Sequence, residues 1–304
     1  MSKIIRIGTR DSELALWQAK TVQQKLKKLG YDSELVPVKS TGDLILDRPL
    51  YELGITGVFT KTLDIAMING QVDIAVHSMK DVPTTLPKGI VEAAILERAE
   101  TEDILIHKNY TPNNKPATIA TGSLRRQAQW LNKYPEHNTV DLRGNVNTRM
   151  KKLAESNWQG AIFAAAGLKR IGLTPEETIS LDWMIPAPAQ GAMLVVAMEN
   201  DSFCKEALSK LNHKQTEICV HIERDFLRKL EGGCTAPIGA LATIEDHNIH
   251  FEGALFSLDG KQKIALSKKC SIIDSVGIGE LYAKEILTQG GTELMTKIKT
   301  QIKK

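Results

Sequence analysis

The sequence predicts an α/β protein with two lobes, followed by a small α+β domain. Three observations support this fold class. The first third of the chain alternates short apolar strands with amphipathic helices, and the second third repeats that alternation. The last third changes to closely spaced strands separated by polar turns. A chain of 304 residues is long enough for two or three domains that each bury a core.

The first lobe begins with a βαβαβ pattern. Strands are predicted at 4–7, 35–38 and 73–76, and a helix at 60–68 precedes the third strand. Asp11 or Ser12 caps the first helix, whose apolar residues recur at helical spacing from Leu14 to Leu29 until Gly30 ends it. We therefore expect parallel strands with ligands beyond their carboxyl ends.

The second lobe repeats this order, with predicted strands at 118–121, 140–142 and 161–164 and helices at 124–131 and 148–155. Apolar runs that begin at Val91, Asp103 and Ala192 are suited to strands that cross between the lobes. Two lobes joined in this way predict a cleft and a hinge.

The last part of the chain predicts a helix through 224–229, antiparallel strands at 242–244, 249–255 and 264–267, and a helix from about 278 to 287. We predict three domains: residues 1–96 with 192–212, residues 97–191, and residues 213–304. The third domain carries Cys234.

Composition excludes several classes of protein. A formal net charge of +3 does not predict a nucleic-acid partner. No apolar run approaches the ~20 residues that span a bilayer, so no membrane association is expected. The four cysteines, at 204, 219, 234 and 270, are far apart and predict neither a disulfide framework nor a metal site. We expect a cytoplasmic monomer without a metal.

Arginines recur in the loops that follow the predicted strands of both lobes. They are Arg10, Arg125, Arg126, Arg143, Arg149 and Arg170. Helix N-termini favour anions, and guanidinium groups bind carboxylates or phosphates in bidentate geometry. Any one of these arginines, taken alone, is best explained as a solvated surface residue. Their recurrence across both lobes favours a site for a polyanion, and the lack of a G-x-x-x-x-G-K-[ST] or G-x-G-x-x-G motif makes a nucleotide the weaker interpretation.

Two further residues point to chemistry. Asp81 ends the segment D-I-A-V-H-S-M-K-D, where an acid among cations stays ionised and can stabilise a cation or move a proton. A salt bridge with Lys80 or a neighbouring arginine is the structural alternative. Cys234 lies in G-G-C-T-A-P, and glycines beside a thiol leave room for an attached group. The residues alone thus predict a thiol-tethered group facing an arginine-lined cleft with one central acid.

Seven motifs, in order, resemble the porphobilinogen deaminase family over nearly the whole chain. They are I-G-T-R-D-S-x-L-A-L-W-Q-A, D-I-A-V-H-S-M-K-D-V-P, T-G-S-L-R-R-Q, L-R-G-N-V-N-T-R, A-A-G-L-K-R, A-Q-G-A and L-E-G-G-C-x-x-P-I-G. The resemblance implies two lobes like those of periplasmic anion-binding proteins and a third domain. It also implies a transferase of tetrapyrrole biosynthesis that joins four porphobilinogen molecules head to tail on a dipyrromethane cofactor. Each condensation loses ammonia, and hydrolysis then releases 1-hydroxymethylbilane.

The resemblance also assigns roles to residues. It implies a thioether from Cys234 to the cofactor, and Asp81 as the catalytic acid that stabilises the cation formed when ammonia leaves. Phe59, Ser78 and Gln190 match further cleft positions. The residues implied to bind the carboxylates of cofactor and substrate are Arg10, Ser12, Lys80, Ser123, Arg125, Arg126, Arg143, Arg149 and Arg170.

The sequence departs from the family pattern in places. Thr56 stands where many members have a lysine, and A-E-T-E-D at 99–103 replaces an acidic-Pro-Arg-Asp stretch. Gly160 and Gly122 replace an acid and a serine, respectively. None of these departures falls on Asp81, Cys234 or the arginines. The alternative of a different class is a non-catalytic, two-lobed binder of small polycarboxylates, which would not need Cys234.

Overall fold

The computed structural model describes residues 3–39, 57, 59–113, 115–173, 175–230 and 236–302. Cys234, its neighbouring glycines at 232 and 233, and Thr56 lie outside these ranges. The described residues form two compact units. The first holds residues 3–39, 57, 59–99 and 191–217, and the second holds the described residues of 100–190 and 218–302. The predicted division into three domains remains a prediction.

Strands and helices alternate through most of the chain. The strands, in chain order, are β1 (Ile5–Thr9), β2 (Ser33–Pro37), β3 (Ile74–Ser78), β4 (Ile90–Ile95), β5 (Asp103–His107), β6 (Thr118–Ala120), β7 (Asn138–Val140), β8 (Gly160–Ala164), β9 (Thr178–Ser180), β10 (Met193–Met198), β11 (Ile238–Glu245), β12 (Asn248–Phe256) and β13 (Lys263–Ser271). The α-helices are α1 (Glu13–Lys28), α2 (Lys61–Ile68), α3 (Leu124–Lys133), α4 (Val146–Glu155), α5 (Ala165–Arg170), α6 (Ser202–Ser209), α7 (Lys214–Lys229), α8 (Ile278–Ile286) and α9 (Thr292–Ile302).

The first unit contains a five-stranded sheet in the order β2-β1-β3-β10-β4. The strands β2, β1 and β3 are parallel, as the sequence predicted, and β10 is antiparallel to both β3 and β4. Helix α1 buries Ala19, Val22 and Leu26 against this sheet because these residues recur on one face. The Ser12 hydroxyl caps the helix by accepting a hydrogen bond from the Ala15 N–H.

The second unit contains a five-stranded sheet in the order β7-β6-β8-β5-β9. Strands β7, β6 and β8 are parallel, and β5 is antiparallel to β8 and β9. Ser123 caps α3, as Ser12 caps α1. The apolar run from Asp103 is thus a strand of the second sheet, and the run from Ala192 is a strand of the first.

The second unit also contains the three-stranded antiparallel sheet β11-β12-β13. Helices α7, α8 and α9 pack on it, and Phe226, Phe251 and Ile286 lie at the centre of their shared core. The predicted fold class is confirmed: the protein is α/β, with two mixed sheets and a small α+β region that has a three-stranded antiparallel sheet.

Candidate functional site

The loop after β1 brings together two of the predicted site residues. The Arg10 guanidinium lies over the ring of Phe59, 4.5 Å from its centroid. Such a cation–π contact holds the guanidinium in place while its edge can still donate hydrogen bonds. The Thr9 hydroxyl anchors the same turn by donating to the Ala15 carbonyl oxygen at 3.0 Å. Arg10 is therefore a half-buried cation at the carboxyl end of a parallel strand.

Asp81 ends a single turn of 3-10 helix, Met79–Asp81, that directly follows β3. Met79 is fully buried and its N–H donates to the Ala192 carbonyl oxygen at 3.0 Å, which fixes the turn to the sheet. Lys80 and Asp81 are both half-buried. The Ser78 hydroxyl accepts a hydrogen bond of 2.9 Å from the Gln18 side chain. The turn thus holds a carboxylate and an ammonium group on a rigid support.

His77, next to Ser78, is buried, and its Nε2 has no hydrogen-bond partner among the described residues. Burial, together with the smaller effect of the Arg10 charge, lowers the pKa of His77 to about 4. The imidazole is therefore neutral near pH 7.

Arg125 and Arg126 share one buried carboxylate, that of Asp103 at the start of β5. Arg125 donates from an Nη to Asp103 Oδ2 at 2.7 Å, and Arg126 donates from Nη2 and Nε to Asp103 Oδ1 at 2.8 and 3.1 Å. Asp103 is completely buried, and both arginines are about 5% exposed. Burial lowers the pKa of Arg125, although the charge of Asp103 raises it. Two guanidinium groups against one carboxylate leave one formal positive charge in excess.

Gln190 belongs to the same cluster. Its side-chain amide donates to Asp103 Oδ1 at 2.9 Å and to the Thr101 carbonyl oxygen at 2.6 Å. No motif assigned Asp103 a role, although it lies in the altered A-E-T-E-D stretch. An acid that opens an otherwise apolar strand, D-I-L-I-H, is the signal that could have revealed this role.

Arg143 and Arg149 flank the turn between β7 and α4. Gly144 has φ +112°, a conformation that glycine adopts without strain. Asn145 caps α4 by accepting the Thr148 N–H, and Arg149 Nε donates to the Gly144 carbonyl oxygen at 2.7 Å. Arg143 is buried, and burial lowers its pKa.

Arg170 is the last residue of α5. It is half-buried, and burial lowers its pKa. Its neighbour Lys169 is exposed and forms an ion pair with Glu100.

The structure thus joins Arg10 with Phe59 in one unit, and Arg125, Arg126 and Gln190 in the other. Within the described ranges, no group of three or more His, Cys, Asp or Glu side chains has an arrangement that could hold a metal ion. In the same ranges, no helix is both long and apolar enough to cross a membrane.

Parallel strands that end in capped helices beside arginines are typical of the class of proteins that bind small anionic molecules. Comparison with known proteins identifies the family within this class. The profile "Porphobilinogen deaminase, dipyromethane cofactor binding domain" matches residues 5–206. The profile "Porphobilinogen deaminase, C-terminal domain" matches residues 217–288.

The protein is 43% identical over 309 residues to the porphobilinogen deaminase of Desulfitobacterium hafniense, with 99% of each chain covered. It is 42% identical over 301 residues to that of Syntrophomonas wolfei, covering 96% of this chain and 97% of the relative. The chain therefore belongs to the porphobilinogen deaminase family, and the resemblance seen in its motifs is confirmed. Among solved structures, the methionine-binding protein MetQ covers 68% of this chain and 89% of its own at 16% identity, with a TM-score of 0.45. This structural similarity is too weak to support an inference about fold.

Proposed function

We propose that this protein is a hydroxymethylbilane synthase. It condenses four porphobilinogen molecules head to tail on a covalent dipyrromethane cofactor, with loss of one ammonia at each step, and then releases 1-hydroxymethylbilane by hydrolysis. The observation that carries the proposal is the match of the two family profiles to residues 5–206 and 217–288. The seven motifs lie within or beside those stretches. A non-catalytic polycarboxylate binder would leave the cysteine and the acid of these motifs without a role.

The basic side chains fit the cofactor chemically. Each pyrrole of dipyrromethane carries carboxylate side chains, and guanidinium groups bind carboxylates in fixed geometry. When bound, the cofactor supplies the free pyrrole α-carbon to which the first substrate is joined. We propose that Cys234 holds it by a thioether. The proposed carboxylate-binding residues are Arg10, Ser12, Lys80, Ser123, Arg125, Arg126, Arg143, Arg149 and Arg170, with Phe59, Ser78 and Gln190 beside them.

Asp81 is the proposed catalytic residue. When the aminomethyl C–N bond of porphobilinogen breaks, ammonia leaves with the electron pair and the substrate becomes a cation. A fixed carboxylate stabilises that positive charge at no cost of reorganisation. The new C–C bond forms at the pyrrole α-carbon, whose hydrogen leaves as a proton that Asp81 can accept. The buried Met79 supports this role because it anchors the turn that carries Asp81.

Arg125 and Arg126 are proposed to hold carboxylates rather than to act on the reacting carbon. The excess positive charge of their cluster with Asp103 favours an anionic ligand, since buried charges are stable only when they are compensated. Asp103 also fixes both guanidinium groups before the ligand arrives, which lowers the entropy lost on binding.

We further propose that the protein acts as a cytoplasmic monomer, without a nucleic-acid partner. Its formal net charge of +3 and its small substrate support this proposal. Light scattering coupled to gel filtration tests the monomer: an enzyme that is active only as a larger assembly would contradict it.

Intact mass spectrometry tests the covalent cofactor. We expect the purified protein to exceed the mass of its sequence by one dipyrromethane, and Cys234→Ser to have the sequence mass and no turnover. Cys270→Ser is the matched control, because Cys270 is a partly buried free thiol and should leave the added mass and the activity intact. A fully active protein without added mass would contradict the proposal.

A further inference from the structure

Ala189 has a backbone conformation that is unfavourable for its residue type. Its φ is +61°, in the left-handed region that residues with a Cβ rarely adopt, and it is completely buried. Strain of this kind persists only where the surrounding structure imposes it, and it concentrates at functional sites. Ala189 directly precedes Gln190, so its conformation determines where the Gln190 side chain lies.

Glu223 contacts this left-handed residue directly. Glu223 lies in α7 and is completely buried. Its Oε2 accepts the Ala189 N–H at 2.7 Å, and its Oε1 accepts the Ala242 N–H of β11 at 2.7 Å. Hydrogen bonds from a backbone N–H to a carboxylate are short and strong. One carboxylate therefore ties the left-handed residue to the three-stranded sheet.

The rest of the segment before Gln190 is held as firmly. The Ala240 N–H of β11 donates to the Pro186 carbonyl oxygen at 3.0 Å. The Ile185 carbonyl oxygen accepts hydrogen bonds from Arg125 and from the Gln129 side chain, at 2.9 and 2.8 Å. Residues 185–190 thus connect the arginine cluster to the sheet that Glu223 contacts.

Gln190 completes the connection. Its amide nitrogen donates to Asp103 Oδ1, the oxygen that also accepts both hydrogen bonds from Arg126. A displaced Gln190 would remove one of the donors that orient this carboxylate, and the guanidinium groups would lose their fixed geometry with it. Contacts therefore run from Glu223 through Ala189 and Gln190 to Asp103 and the two arginines.

We propose that Glu223 is a positioning residue for the carboxylate-binding arginines Arg125 and Arg126. It acts by stabilising the left-handed Ala189, which places the Gln190 amide on Asp103. This inference rests on the proposed function, in which the two arginines bind carboxylates of the substrate and cofactor. Helix α7, which carries Glu223, ends at Lys229, shortly before Cys234 in the sequence. One helix thus supports the arginines and leads to the proposed cofactor anchor.

Steady-state kinetics of the holoenzyme with porphobilinogen test the inference. In Glu223→Gln, the N–H groups of Ala189 and Ala242 lose a charged acceptor. We expect KM to rise about tenfold while kcat changes less than twofold, because the loss falls on binding rather than on the chemical step. Each preparation is first checked by intact mass for its cofactor.

A second substitution tests the route through Ala189. Glycine adopts a positive φ without strain, so Ala189→Gly in the Glu223→Gln background should restore KM to within about twofold of wild type. Asp73→Asn is the matched control. Asp73 is a buried carboxylate of the first unit that accepts hydrogen bonds from Arg6 at 2.8, 2.9 and 3.0 Å. Its substitution should lower the melting temperature and leave KM unchanged.

A lower melting temperature with wild-type KM in Glu223→Gln would overturn the inference, and so would a raised KM that Ala189→Gly does not restore. If Glu223→Gln does not fold, Gln190→Ala replaces it: we expect the same rise in KM, and an unchanged KM overturns the inference. Arg126→Lys tests separately the underlying proposal that the arginines bind carboxylates. A wild-type KM in that variant overturns the binding role of the arginines, whereas a raised KM there with none in Glu223→Gln overturns the positioning role alone.

Discussion

The two five-stranded sheets share one arrangement and differ in where they carry charge. Each has three parallel strands followed by two strands in alternating direction, in the orders β2-β1-β3-β10-β4 and β7-β6-β8-β5-β9. A serine caps the first helix of each, and its hydroxyl accepts the N–H of Ala15 in one unit and of Arg126 in the other. The framework therefore accepts either an apolar or a charged residue at this position.

The same contrast between an apolar and a charged residue appears at the start of the strand that runs antiparallel to the three parallel strands, which is β10 in the first unit and β5 in the second. Met193 opens β10 opposite Ser78, whereas Asp103 opens β5 opposite Ala164. Both Met193 and Asp103 are buried. The first unit forms the same sheet arrangement with Ala15 and Met193 at these places, so the arrangement itself does not require Arg126 or Asp103. The difference supports the proposal that Arg125 and Arg126 bind carboxylates.

The first unit has its candidate catalytic acid after a parallel strand rather than at the start of the antiparallel strand. Asp81 follows the end of β3, and the residue at the matching distance from the end of β8 is Gly167. In the first unit, β3 is thus followed by a short turn with a carboxylate. In the second unit, β8 is followed by a helix whose last residues are basic. The proposed catalytic acid Asp81 and the arginine pair Arg125 and Arg126 thus belong to different units.

Substitution of Asp81 is expected to have the largest effect. Asp81→Asn removes the negative charge and the proton acceptor, and turnover should fall about 10³-fold, within the range typical of general acid–base catalysis. The measurement is single-turnover loss of porphobilinogen by folded protein. Asp11→Asn, at an exposed acid of the first loop, is the control and should retain turnover. An Asp81→Asn enzyme with more than a tenth of wild-type turnover would remove Asp81 from the chemical step.

Removal of Asp103 should lower stability in addition to disturbing the two arginines that it holds. Asp103→Asn leaves two buried guanidinium groups without their carboxylate, which should lower the free energy of unfolding by about 3–5 kcal/mol. Asp73→Asn acts on a pair whose Arg6 side chain is 38% exposed, so its cost should be nearer 1 kcal/mol. Denaturant unfolding compares the two variants. An equal loss of unfolding free energy in both variants would show that burial does not make the Asp103 cluster more important for stability than the partly exposed Asp73 pair.

The contribution of His77 to the stability of the fold depends on pH. The second sheet has the apolar Phe163 at the position that matches His77. Because the pKa of His77 falls from 6.5 to about 4 on folding, the unfolded chain binds a proton that the folded protein does not. The neutral His77 therefore costs no stability above pH 6.5, and its contribution lowers the free energy of unfolding by about 3 kcal/mol as the pH falls to 4.

Unfolding of wild type and His77→Gln at several pH values isolates this contribution, since the carboxylates titrate equally in both. The wild type should lose more stability than the variant between pH 7 and pH 4. If the unfolding free energies of wild type and variant fell equally with pH, His77 would not be held neutral by the fold.

Much of the fold could be predicted because local patterns determine it. The helix over Leu124–Lys133 and the strands over Ile74–Ser78 and Gly160–Ala164 follow from apolar periodicity and capping residues. Helix α9 was not predicted, because Gly290 and Gly291 indicate an end to helical structure. Helix α7 begins at Lys214, well before the predicted 224, because His213 and Thr216 make polar contacts at its start that periodicity does not reveal.

The candidate site was predictable only in part. Arginines after strands were visible in the sequence, but their shared acid, Asp103, lies 22 and 23 residues away along the chain. The left-handed Ala189 carries no sequence signal, since alanine is not a residue that marks positive φ. Contacts between residues distant in sequence therefore determine how the arginines are held.

The most direct test of the account is the stoichiometry of the reaction catalysed by the purified protein. Ammonia and 1-hydroxymethylbilane are measured together after porphobilinogen is added to enzyme that carries its cofactor. We expect four ammonia molecules for each tetrapyrrole released, with the mass of the enzyme unchanged after the round. No consumption of porphobilinogen, or a product of different length, would contradict the account.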